Sequence, residues 1–176
     1  MRIKKLAGSP VYLSPMAPQD APHYAIWLND LTVTRNLTLP GVNITLESEL
    51  AAITELNKGH NYAIVENGND RLLGGCGLMD IDHVHGTAMI GIFIGAAADR
   101  GKGLGGEAMG LLIDYGFRYL NLHNIMLKVF SFNAAGIRCY EKLGFRRIGS
   151  RRQALLRERQ RHDEIYMDLL PEDFYR

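Results

Sequence analysis

The segment Asp99 to Gly106, DRGKGLGG, stands between an apolar run and an amphipathic one, and that placement limits the folds open to this chain. Before it, Met89 to Ile94 is apolar on both faces of a two-residue period, the pattern of a central strand buried between layers. After it, Leu104, Ala108, Leu111, Leu112, Tyr115 and Tyr119 fall on one stripe, which predicts an amphipathic helix of about five turns. Ile125 to Phe130 reads as a second buried strand. Strand, helix and strand form a βαβ unit, so its two strands are expected to be parallel with a right-handed crossover.

The remaining segments read as flanking elements. Tyr12-Leu13 is a short strand, and Pro18-Gln19-Asp20 opens a helix running to about Asn29. Thr38 to Asn43, with Pro40-Gly41, is a turn; Thr45 then caps a helix whose early acids Glu47 and Glu49 suit the positive end of the helix dipole, and which ends near Asn57. Tyr62 to Glu66 and Leu72 to Met79 form an antiparallel hairpin around Asn67 to Asp70. Gly74, Gly75 and Gly77 mark either a bulge or close backbone approach, or a distorted strand that holds nothing. Asn133 caps a helix to Leu143 with Gly144 just beyond it, and Arg146 to Leu156 pairs with Glu164 to Leu170 around a charged loop. These 176 residues suit a single α/β domain spanning 1–176, a mixed sheet flanked by helices.

Charge and cysteine usage narrow the function. Lys and Arg total 20 against 19 Asp and Glu, so no global field draws the chain to nucleic acid or an anionic membrane. Cys76 and Cys139 have no zinc spacing and form no disulfide framework. The longest uncharged apolar stretch, Ala88 to Ala98, is too short for a membrane span, and the opening MRIKKLAGSP lacks the apolar run of a signal peptide. A cytoplasmic protein with neither a nucleic-acid nor a membrane partner is expected.

The glycine turn itself is suited to an anion: its backbone can approach a ligand closely, and its N–H groups begin a helix. Gly101, Gly103 and Gly106 satisfy GxGxxG, but a dinucleotide fold needs an acid ~20 residues on, and Tyr115 to Tyr140 contains no Asp or Glu. A GxxxxGK[ST] phosphate loop fails too, because Lys102 is followed by Gly103. What remains is either a diphosphate held by backbone amides, with Arg100 and Lys102 as counter-charges, or a turn that binds nothing.

Arg100, Gly103 and Gly105 spell the R/Q-x-x-G-x-G/A turn of the GNAT N-acetyltransferase superfamily. With IGIFIG before it, LLIDYGF in the helix and NAAGIRCYEKLGF after the next strand, the chain resembles the branch containing the ribosomal-protein and spermidine N-acetyltransferases, most clearly from Ile81 to Gly149. The resemblance implies a mainly antiparallel sheet with a splayed central parallel pair, acetyl-CoA as cosubstrate, no metal, and a homodimer. It implies that amides of Arg100, Gly101, Lys102, Gly103, Leu104 and Gly105 hold the pyrophosphate, and that backbone groups of Phe93 and Ile94 pair with the pantetheine arm. Asn133 would touch that arm or serve only as a helix cap. The Ile94 N–H would face the oxyanion, and Tyr140 would give a proton to the departing thiolate or be a core aromatic.

The sequence departs from this pattern at Met89, where many relatives carry glutamate, so the expected base is missing. Asp80, Asp82, His83 and His85 would substitute for it or form a solvated turn. The acceptor would be a peptide N-terminus or a small-molecule amine. A polyamine would need Asp30, Glu47, Glu49 or Glu55, because Arg146, Arg147, Arg151, Arg152, Arg157, Arg159 and Arg161 crowd the C-terminal hairpin. Those arginines otherwise read as cross-strand ion pairs. The rival from another class is a CoA-binding sensor or scaffold with weak turnover.

Overall fold

The computed structural model describes residues 2–38 and 41–176, and its centre is a seven-stranded sheet. The strands are β1 (Val11–Pro15), β2 (His60–Glu66), β3 (Leu72–Asp82), β4 (Thr87–Ile94), β5 (Asn124–Phe130), β6 (Arg146–Arg157) and β7 (Gln160–Leu169), in the spatial order β1-β2-β3-β4-β5-β7-β6. All neighbours are antiparallel except β4 and β5. That parallel pair holds at only three positions, Thr87 with Asn124, Ala88 with Ile125 and Met89 with Met126. Beyond Met89, β4 stays with β3 as far as Ile94 while β5 follows β7 as far as Phe130, so a gap opens between them.

The helices are α1 (Ala21–Asn29), α2 (Leu31–Thr34), α3 (Leu46–Leu56), α4 (Leu104–Tyr119), α5 (Ala134–Lys142) and α6 (Pro171–Phe174). No helix among the described residues is long and apolar enough to cross a membrane. Helix α4 has the expected limits, but its buried stripe runs through Ala108, Met109, Leu112, Ile113 and Phe117, leaving Tyr119 exposed. It packs with Ile90, Ile125, Leu127 and Met167 in the larger core. On the opposite sheet face, Tyr24 and Ile53 pack with Tyr12, Ala63 and Val65, and only Phe93 of β4 joins them. Strand β4 is therefore central but not buried on both faces: Ala88 and Ile90 are buried, whereas Met89 and Phe93 are only half-buried.

Two local expectations change, and a third falls partly outside the described residues. The helix from Pro18 begins as a 3-10 turn, Pro18–Asp20, before α1. At the turn expected over Thr38 to Asn43, Leu39 and Pro40 lie outside the described residues, while Gly41 has φ +86°. The charged loop of the last hairpin shrinks to Glu158 and Arg159, both left-handed at φ 48° and 64°, so β6 and β7 are longer than expected.

The glycines of β3 serve close approach: a Cβ on Gly74 would lie 2.1 Å from the Phe93 carbonyl oxygen. There is also a register shift between Ile64 and Val65 on β2. Gly74→Ala should lower stability in urea unfolding by about 2–3 kcal/mol, because backbone rather than a flexible side chain must move. Gly110→Ala, in α4 with nothing within 4 Å of the new methyl, should raise it by about 0.5–1 kcal/mol.

Candidate functional site

The gap between β4 and β5 opens toward the N-terminus of α4. Gly103 precedes that helix in a left-handed conformation, φ 82°, and no side chain caps the first turn. The leading N–H groups are thus left to a ligand. A Cβ on Gly101 or Gly103 would meet nothing within 4 Å, so the outer side of the turn is open. Together the gap and the turn form a cleft of about 830 Å³ that reaches α5 and the end of α2.

Nine of the ten residues expected at the site line this cleft: Phe93, Ile94, Arg100, Gly101, Gly103, Leu104, Gly105, Asn133 and Tyr140. Lys102 is not among them; its ammonium lies 3.9 Å from Asp99. The Arg100 side chain is engaged by backbone. Its guanidinium donates to the Gly95 carbonyl at 2.7 Å and the Ile94 carbonyl at 3.2 Å, and so ties the turn to the end of β4. The divergence explains this, because carbonyls at the end of β4 have lost their partner strand and a guanidinium supplies donors for them.

Ladder parity assigns the free backbone groups. The Gly95 N–H bonds the Leu73 carbonyl at 2.9 Å, so odd-numbered residues of β4 turn toward β3 and even-numbered ones toward the gap. Accordingly the Phe93 carbonyl lies against Gly74, and its ring packs with Tyr24 and Trp27 at centroid distances of 5.9 and 6.5 Å. The groups facing the gap are the N–H of Ile94 and both backbone groups of Ile92, a residue that the sequence reading missed.

On the other wall, Asn133 caps α5: its Oδ1 accepts the Gly136 N–H at 3.0 Å. Gly136 is small for that reason, since a Cβ there would lie 2.6 Å from Asn133 Nδ2. Burial pushes the Tyr140 hydroxyl up to about 12, so it keeps its proton at neutral pH. No group among the described residues hydrogen-bonds that hydroxyl. The Cys139 thiol beside it is also raised by burial and stays protonated.

The substitute base suggested upstream is not assembled. The Asp82 carboxylate, at the end of β3, accepts the Val84 and His85 N–H groups at 2.8 and 3.0 Å and so closes the turn at the start of β4, whereas the cleft is at its end. Asp30 caps α2, Glu55 pairs with Lys58, and neither Glu47 nor Glu49 lines the cleft. An ion pair with one buried member was also missed, because 28 positions separate the two residues: the exposed Arg71 grips the buried Asp99 through two bonds of 2.6 and 2.9 Å and steadies the segment before the glycine turn.

A family model described as an acetyltransferase (GNAT) domain matches residues 11–146. The chain belongs to the GNAT acetyltransferase family. It is accordingly an acyltransferase, an acetyl-CoA-dependent N-acetyltransferase. The uncharacterized N-acetyltransferase p20 of Bacillus licheniformis is 31% identical over 142 residues, 78% of this chain and 79% of that protein. Spermidine N(1)-acetyltransferase of Escherichia coli (strain K12) is 44% identical over 68 residues, 39% of this chain and 36% of that protein. The crystal structure of spermidine N-acetyltransferase from Vibrio cholerae in complex with CoA and spermine superposes with a TM-score of 0.86. It covers 96% of this chain and 100% of that one at 21% identity, a likeness of fold alone.

In this GNAT chain most hairpin arginines are paired internally. Arg146 bonds Asp173, Arg147 bonds Glu141 at 3.0 Å, Arg151 bonds Glu164 at 3.2 Å, and Arg157 donates to the Leu37 carbonyl at 2.8 Å. The Arg71 guanidinium, through its hydrogen bonds, holds the Asp99 carboxyl below its ordinary 3.8. Stability from a depressed carboxylate is complete above 3.8 and is lost as pH falls through the lower folded value. Asp99→Asn should therefore cost about 2 kcal/mol at neutral pH, with the two urea curves converging as the pH is taken below 3.8.

Proposed function

We propose that residues 1–176 act as one domain that moves an acetyl group from acetyl-CoA to a primary amine by direct attack in a ternary complex. The amine is a peptide N-terminus or a small-molecule amine. The observation that carries this reading is the three-position pairing of β4 with β5, followed by a gap that leads to an uncapped helix N-terminus.

The residues fit the cosubstrate. Backbone amides from Arg100 to Gly105 would hold the pyrophosphate, with the dipole of α4 in place of cationic side chains. The backbone groups of Ile92 and Ile94 that face the gap would pair with the pantetheine arm, and Asn133, already bound to its helix, would border it. The Ile94 N–H would donate to the carbonyl oxygen as negative charge gathers there. Tyr140 would give its proton to sulfur as the thioester breaks. A phenol at about 12 lies above a free thiol at ~8.5, but burial raises a thiol in the same site as well, so the two can share a proton.

A polyamine acceptor is less well supported. The acids it would need do not line the cleft, and the matches to spermidine acetyltransferases cover under half of this chain. Homodimer formation and a cytoplasmic setting belong to the same proposal through the family resemblance.

Acetyl-CoA at ~100 times its Kd should raise stability by about 2.7 kcal/mol in a thermal unfolding experiment, and NAD should not. Tyr140→Phe should keep that shift and the KM for acetyl-CoA while lowering kcat about 10²-fold. Slow thiol release that ignores every amine offered would favour a CoA sensor instead; no shift with acetyl-CoA would end both readings.

A further inference from the structure

One carboxylate is buried at the height of the gap, on the sheet face opposite α4. Met89 pairs with Met126, so four residues further along both strands Phe93 and Phe130 stand on either side of the gap. Phe130 pairs in turn with Glu164 of β7, and residues paired across a sheet share a face. Glu164 thus shares a face with Phe93 and lies one strand away from the gap. Its side chain is 9% exposed. The Tyr166 hydroxyl donates to Oε2 at 2.9 Å, and Arg151 Nη1 donates to the same oxygen at 3.2 Å. Oε1 has no protein partner among the described residues.

Glu164 does not itself line the cleft but stands one strand behind the gap, and the acids that do line it are placed differently. Both Asp99 oxygens are held by Arg71, while Asp114 accepts from the Tyr175 hydroxyl and pairs with Arg118. Glu107 is on the first turn of α4, on the side assigned above to the cosubstrate. Resting on the N-acetyltransferase reading, we propose that Glu164 is the proton acceptor for the attacking amine, reached through one water at Oε1. Arg151 of β6 and Tyr166 of its own strand touch Glu164; nearby, Lys128 of β5 pairs with Tyr166, Arg157 of β6 lies over the Phe130 ring, and Arg35 and His162 pack on Phe132.

The neutral amine nitrogen forms its bond to the thioester carbonyl carbon as the carbonyl electron pair moves to oxygen. The nitrogen then gives one proton through the water to Glu164. As the electron pair returns, the carbon–sulfur bond breaks and sulfur takes a proton from Tyr140. Glu164 releases its proton to solvent and Tyr140 regains one, so amine and thioester have become amide and thiol.

Glu164→Gln tests this, since the amide keeps an oxygen for Tyr166 and Arg151. The measurements are the thermal shift with acetyl-CoA and the pH profile of kcat/KM for an amine substrate. The expected result is an unchanged shift, kcat/KM lowered about 10²-fold, and a steady rise with pH where the unchanged protein has an acid limb and a plateau. Glu164→Asp should restore the acid limb and part of the rate. A Gln variant with the original pH profile overturns the proton role, as does one that loses the acetyl-CoA shift, which would make Glu164 part of the fold. An unchanged protein that acetyl-CoA does not stabilise overturns the underlying reading itself.

Discussion

After Met89 the backbone groups of β4 that turn toward β5 have no strand to bond, and much of the structure around the cleft compensates for that loss. Each buried polar group left unpaired costs about 1–3 kcal/mol, so the divergence must be imposed from both sides. On one side β7 keeps β5 in register through Phe130. On the other, β3 draws β4 away: Gly74 lets the Phe93 carbonyl approach, and Gly95 lies where any side chain would collide with the Trp27 ring at 2.0 Å. Tyr24 secures this arrangement by donating its hydroxyl to the Gly74 carbonyl at 3.0 Å. The strain of separation is thereby spread over residues with no part in the chemistry.

The charges near the turn follow from the same constraint. Arg100 bonds the carbonyls at the end of β4, Asp99 occupies Arg71, and Lys102 lies nearest Asp99. Arg138 and Lys142 of α5 are cations that do line the cleft. The oriented amides of the turn and the helix dipole are fixed by the fold and require no side-chain ordering on binding.

How much of this was legible follows from how local each cause is. Helix α4 could be bounded from sequence because a glycine turn starts it and one apolar stripe runs its length. The parallel pair could be inferred because strand, helix and strand leave few alternatives. The short hairpin turn could not: Glu158 and Arg159 adopt left-handed conformations that asparagine or glycine would have advertised. The Arg71–Asp99 pair was hidden because its members are brought together by tertiary folding, and the use of Arg100 because the carbonyls it bonds, though five and six residues away, are freed only by the divergence of β4 from β5. Of the two readings of Asp80 to His85, the structure carries the polar turn, since adjacency in sequence to β4 says nothing about which end of the strand carries the cleft.

One long-range contact fixes the edge of the cleft beyond α2. Arg157, near the tip of the last hairpin, donates to the Leu37 carbonyl at 2.8 Å and the Arg35 carbonyl at 3.4 Å, with its guanidinium 5.8 Å from the Phe130 ring centroid. It joins the segment after α2, whose Asn36 and Leu37 line the cleft, to the strands that bound the gap. Bonded only to neutral carbonyls and an aromatic face, Arg157 keeps its positive charge, whereas Arg146, Arg147 and Arg151 each face a carboxylate. The arginine-rich composition of the hairpin therefore does not by itself make the entrance cationic. By holding that segment, Arg157 fixes where Asn36 and Leu37 stand at the cleft wall.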